Sequence, residues 1–174
     1  MIFCFCSSVN FNSAATSERI THSRPAVSDP GTDHSRILVN ACEGLPAGLY
    51  HYDAPHHRLG RLCGRTGEVE HLLADDAASA DIAVERVQVV ILLSARFQRL
   101  AWKYASIAYA LILKHVGVVY QTMYLTARAM DLAPCALDGD DAEVFAHAAD
   151  TDYYAETSVG EFLLGRSSGV ERHE

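Results

Sequence analysis

Apolar residues gather in a few short runs separated by polar stretches rich in proline and glycine, and the spacing within each run predicts the element it forms. Residues 1–35 mix Ser, Thr, Asn, Pro and His without period. Pro25, Pro30 and Gly31 break any continuous helix or central strand there, so the segment reads as an irregular lead-in. The apolar run 36–40 reads as a strand, and residues 44–52 (GLPAGLYHY) feed alternating large side chains through a turn into a second strand. Residues 57–70 carry three glycines and read as a turn-rich hairpin; residues 72–83 favour helix weakly. Residues 84–93 (VERVQVVILL) are dense in β-branched and aliphatic side chains, the composition of a strand covered on both faces.

From residue 96 the period changes. Trp102, Ile107, Leu111, Val116, Val119, Met123 and Ala127 recur at helical spacing to about residue 132, which predicts one long or broken helix. Its apolar residues lie on most sides, so it should be buried within the protein or at a dimer interface. Pro134, Gly139 and the aspartates around them mark a loop, residues 143–149 a short helix, and residues 159–165 (VGEFLLG) a final buried strand. Residues 167–174 form a polar, flexible tail. The order predicts an α+β domain over residues 36–166, with a central mixed sheet flanked by helices and a long buried helix.

Composition narrows the function. At 174 residues, 49% hydrophobic and 21% charged, the chain suits one folded domain. A net charge of −8 argues against nucleic acid. Five scattered cysteines, with Cys4 and Cys6 forming a lone Cys-x-Cys, suit a reducing cytoplasm better than a disulfide framework or a zinc site. Residues 1–6 are too short for a signal peptide core, and the apolar stretch 105–119 is interrupted by Lys114 and His115, so no membrane span is expected. His51, His56 and His57 lie near Asp53, but a metal is not the expected reading of that group.

Five separated segments carry a resemblance: GLPAGLYHYD at 44–53, FQRLAWKY at 97–104, a Gly-x-x-x-Gln at Gly117 and Gln121, LAPCAL at 132–137 and SVGEFLLG at 158–165. In this order they resemble the SagB-type azoline dehydrogenases of the FMN-dependent nitroreductase superfamily, over roughly residues 25–165. The resemblance implies a homodimer with FMN at the interface, in the cytoplasm. It also implies a thiazoline or oxazoline substrate in a ribosomal precursor peptide, and a cyclodehydratase complex as partner. Oxidation to the azole removes a proton and a hydride from adjacent carbons; the flavin takes the hydride and oxygen reoxidises it.

The resemblance also assigns residues. Lys103 and Tyr104 match the Lys-Tyr pair of the azoline-oxidising members, where a base must take the proton. Gln121 is placed near the flavin or the partner subunit. Pro134, Cys135, Ala136, Leu137 and Gly139 correspond to the loop that passes against the flavin ring, where close backbone approach favours small residues. Residues 25–31 (PAVSDPG) resemble the Pro-Ser-x-Gly flavin loop, giving cofactor roles to Ser28 and Gly31, and Arg166 is a candidate for the phosphate. The chain departs from the pattern in two ways. Asp131, Asp138 and Asp140 stand where glycine is expected and put negative charge beside an anionic cofactor. Nothing before Pro25 matches the Arg-x-Ser-x-Arg that grips the phosphate, so the expectation is a partial, N-terminally truncated domain. Two other readings remain: a remnant that dimerises as a scaffold without chemistry, and an NAD(P)H-dependent nitroreductase.

Overall fold

A computed structural model of the chain describes residues 35–53, 56–139 and 141–166. In chain order the elements are β1 (Arg36–Val39), β2 (Gly48–Asp53), β3 (Arg58–Cys63), α1 (Gly67–Ser79), a 3-10 turn (Val84–Arg86), β4 (Val89–Ala95), α2 (Phe97–Tyr104), a second 3-10 turn (Ala105–Ile107), α3 (Ala108–Ala129), β5 (Leu132–Leu137), α4 (Ala142–Ala149) and β6 (Thr157–Arg166). The strands form one sheet in the order β3-β2-β1-β4-β6-β5. The helices pack on both of its faces, as an α+β domain requires.

Residue alternation in the central strands makes the two-sided core. Ile37, Val39, Ile91, Leu93, Phe162 and Leu164 face α3, which answers with Ile112, Val116, Val119, Met123 and Ala127. Leu38, Leu49, Val90 and Leu92 face the other way, onto Val69, Leu72 and Leu73 of α1 and Phe145 of α4. Every residue of β4 is buried, so the period-2 signal vanishes and the strand reads as a continuous apolar run. The same composition suits a parallel or an antiparallel strand, and the sheet expected to be mixed is antiparallel at every pairing among the described residues.

Other expectations are corrected in detail. The strand foreseen over 84–93 begins only at Val89, because Val84–Arg86 close a 3-10 turn, and Asn40 Nδ2 donates to the carbonyls of Val84 and Val87. Residues 57–70 hold strand β3 and then the start of α1, capped by the Thr66 hydroxyl accepting from the Val69 N–H. The long helix is broken at residues 105–107. It is buried on one face only; Tyr109, Leu113, Val118 and Leu125 on other sides are exposed. The loop foreseen from Pro134 starts only after Leu137, because residues 132–137 form the outermost strand of the sheet. Proline is tolerated at such an edge, where a missing N–H need not break a ladder. Asp131 turns the chain from α3 into β5 with φ of 56°, a left-handed conformation aspartate adopts more readily than most residues.

Candidate active site

Between the N-terminal half of α3 and the start of β6 lies a cleft of about 510 Å³. Phe97, Tyr109, Tyr120 and Tyr153 supply its aromatic lining, and Leu137, Asp138 and Gly139 line it together with Thr157 to Gly160. Helical spacing explains the part from α3: Tyr109, Leu113, Val116, Gly117 and Tyr120 recur on one stripe of the helix. Phe97, at the start of α2, stacks on Tyr109 with ring centroids 5.9 Å apart. Gly160 lets α3 sit directly on β6, since a Cβ there would collide with the Tyr120 ring and hydroxyl and crowd Val116. The hydroxyl of Thr157 is buried without a hydrogen-bond partner.

A separate, smaller cavity of about 390 Å³ lies at the far end of the central strands, lined by Cys42, Glu43, Gln88, Leu164 and Arg166 among others. Near the cleft end of the sheet is a buried charged group. Glu156, 3% exposed, accepts from Ser94 Oγ at 2.6 Å and from Arg96 Nε at 3.0 Å, and pairs with Arg36 at 3.4 Å. Arg36 also meets His51 Nδ1 at 3.2 Å. Burial pulls the Arg36 guanidinium below its usual range against the opposing pull of Glu156, and burial followed by the Arg36 charge holds His51 below the ordinary imidazole value.

The structure brings some of the sequence-predicted site residues together and keeps others apart. Leu137 and Gly139 line the cleft. Pro134, Cys135 and Ala136 lie on β5 paired with Leu164, Leu163 and Phe162, and the Ala136 N–H already donates to the Tyr124 hydroxyl at 2.8 Å. Lys103 and Tyr104 sit on the last turn of α2, about 9 Å along the helix from the cleft residue Phe97 at the 1.5 Å rise per residue. Lys103 is exposed, Tyr104 half-buried, and the Lys103 ammonium stands 5.3 Å from the Tyr104 ring. Neither lines the cleft. Gln121 is exposed on α3. Arg166 ends β6 at the second cavity, its N–H donating to Gln88 Oε1. Ser28, Gly31 and Asp140 lie outside the described residues. Of the three histidines, His51 meets Arg36, His57 meets the Tyr52 hydroxyl at 2.8 Å and His56 meets Asp53 at 3.0 Å. Phe97, Tyr109, Tyr120 and Thr157 were not singled out from the sequence, although the aromatic stripe on α3 is the signal that would have found the two tyrosines.

Residues 48–165 match the model of the nitroreductase family, and the chain belongs to that family. None of the curated proteins matches it. Solved structures share the fold at low identity. A protein of Anabaena variabilis assigned as a nitroreductase superposes with a TM-score of 0.70 at 23% identity, over 92% of this chain and 34% of its own. The microcin synthetase McbBCD complex of E. coli, with truncated pro-MccB17 bound, gives 0.67 at 14% identity, over 95% of this chain and 63% of the matched one. A protein of Ralstonia eutropha, also assigned as a nitroreductase, gives 0.61 at 16%, over 95% and 73%. The chain thus spans about a third of the Anabaena protein's length. No helix among the described residues is long and apolar enough to cross a membrane.

Proposed function

We propose that the chain is the flavin-holding part of an FMN-dependent oxidoreductase that converts thiazoline or oxazoline rings of a peptide to azoles. The observation that carries this reading is the aromatic cleft on α3 and β6, which lies within the segment matching the nitroreductase family. Members of that family typically bind FMN. The cleft's volume of about 510 Å³ suits a small-molecule site, the rings of Tyr109 and Tyr120 suit a flat conjugated system, and Gly117, where a Cβ would meet nothing within 4 Å, permits close approach. These features fit the flavin ring. They do not provide for the phosphate: among the described lining residues there is Asp138 but neither Lys nor Arg, so the phosphate must be held beyond this cleft.

FMN, when bound, would supply the hydride acceptor, with oxygen as the terminal oxidant. The chain's own part is to place the ring and to take the proton. Lys103 and Tyr104 are the residues proposed for that second role, one as base and the other as its orienting partner. The exposed apolar residues Tyr109, Leu113, Val118 and Leu125 support a homodimer in which a second copy covers α3. The likeness to a chain of the microcin synthetase complex supports a precursor peptide as substrate and a cyclodehydratase complex as partner. A second reading, a domain that keeps the fold and dimerises without chemistry, is favoured by Asp138 in the cleft and by the distance of Lys103 from it.

The test is turnover of a thiazoline-containing peptide by FMN-loaded protein, followed by mass spectrometry. The expected result is loss of two hydrogen atoms per ring in the wild type, and no loss with Lys103→Ala although the protein stays yellow. Undiminished turnover by Lys103→Ala would remove Lys103 from the mechanism. A loaded wild type that leaves the peptide unchanged would end the azoline assignment.

A further inference from the structure

We propose that Glu156 is a positioning residue: it holds the shape of the cleft by fastening two stretches of its lining to the middle of the sheet. Its bearing on a flavin rests on the reading above. One stretch begins with Phe97, and the residue before it, Arg96, donates to Glu156 Oε2 at 3.0 Å. A second stretch of the lining is Thr157 to Gly160, which follows Glu156 directly in the chain. Ser94, at the end of the central strand β4, donates to the other carboxylate oxygen at 2.6 Å. A single buried carboxylate therefore joins the start of α2, the end of β4 and the start of β6.

The register of β6 gives this tie a purpose. Leu93 pairs with Gly160 but Ser94 pairs with Ser158, so Val159 is an extra residue, a bulge that falls within the cleft wall. Bulges bend a strand and re-aim its side chains, and they need pinning because their ladder is interrupted. Glu156 and the Ser158 hydroxyl, which donates to the Leu93 carbonyl at 3.4 Å, both hold the chain leading into this one. Buried ion pairs add little stability over well-packed apolar residues, so what this arrangement supplies is direction. Its removal is costly all the same. Arg36, 7% exposed and with Nε already lacking a hydrogen-bond partner, would be left with Arg96 as an uncompensated pair of cations.

The test compares wild type with Glu156→Gln, Arg96→Ala and Arg96→Lys in the full chain. Two quantities are read: amide hydrogen exchange along both stretches of the cleft wall, and the FMN dissociation constant from quenching of flavin fluorescence. Glu156→Gln and Arg96→Ala should speed exchange at residues 97–98 and 157–160 by about tenfold or more, leave Val90 to Leu92 unchanged, and weaken FMN roughly tenfold. Arg96→Lys, which keeps the cation, should return FMN binding to within about threefold of wild type. Arg96 is half-exposed, so its variants keep the question answerable if Glu156→Gln does not fold. Wall amides exchanging at the wild-type rate in Arg96→Ala, or acceleration spread evenly through β4, would overturn the proposal. A wild type that binds no FMN would overturn the flavin reading, and exchange along the walls would still decide the role of Glu156.

Discussion

The same substitution at two glycines, Gly160→Ala and Gly117→Ala, should change stability in opposite directions. At Gly160 the new methyl runs into the Tyr120 hydroxyl and ring and presses on Val116 Cγ1. Tyr120 can relieve the clash only by leaving the Phe162 ring, whose centroid lies 5.8 Å away, or by pushing α3 off β6. Overpacking of this kind costs about 1–3 kcal/mol. For a chain of this size that lowers the melting temperature by roughly 3–10 °C. At Gly117, on the exposed side of α3, a methyl meets nothing within 4 Å. Alanine there removes the backbone freedom that glycine has in the unfolded chain and should add about 0.5–1 kcal/mol. Urea unfolding at matched protein concentration, followed by circular dichroism, reads both. The reasoning fails if Gly160→Ala is as stable as wild type, or if Gly117→Ala is the weaker of the two.

Three further outcomes follow from particular contacts. Asp138→Asn removes a charge from the end of the cleft and should tighten FMN by about threefold to tenfold in a fluorescence titration, an effect that fades at high salt. The imidazole of His51 is held below its ordinary value of 6.5 by burial and by Arg36, so the unfolded chain binds the extra proton first. Its contribution to stability is present above that value and is lost as pH falls below it; urea midpoints measured downward from neutral pH should fall less steeply in His51→Gln. Thr66→Ala should cost about 1 kcal/mol, because the hydroxyl that accepts from the Val69 N–H caps α1, whereas Thr66→Ser should cost much less.

The parts of this fold legible in the sequence are those where one periodicity dominates. Leu38 and Ile37 in β1, the apolar run of β4 and the Phe162–Leu164 stretch announce central strands, and Ile112, Val116, Val119, Met123 and Ala127 announce the buried stripe of α3. Strand β5 was hidden because Leu-Ala-Pro-Cys-Ala-Leu combines a proline with small, half-buried side chains, and only its partner β6 makes it a strand. The candidate site was legible in part. Leu137 and Gly139 were found through family segments, while Phe97, the α3 pair Tyr109 and Tyr120, and Thr157 come from three elements whose convergence no local pattern records. The tie between Arg96 and Glu156 spans sixty residues of sequence, and neither residue looks unusual where it stands.

The account depends above all on the cleft being the place where a flavin ring binds. The direct measurement is an FMN titration, followed by the visible absorbance of the retained cofactor, of wild type beside Gly117→Trp, whose indole is introduced at an open position of the cleft lining. The account predicts a yellow wild type and a variant that is folded but colourless. Equal retention by both proteins, or a wild type that stays colourless in excess FMN, would contradict it.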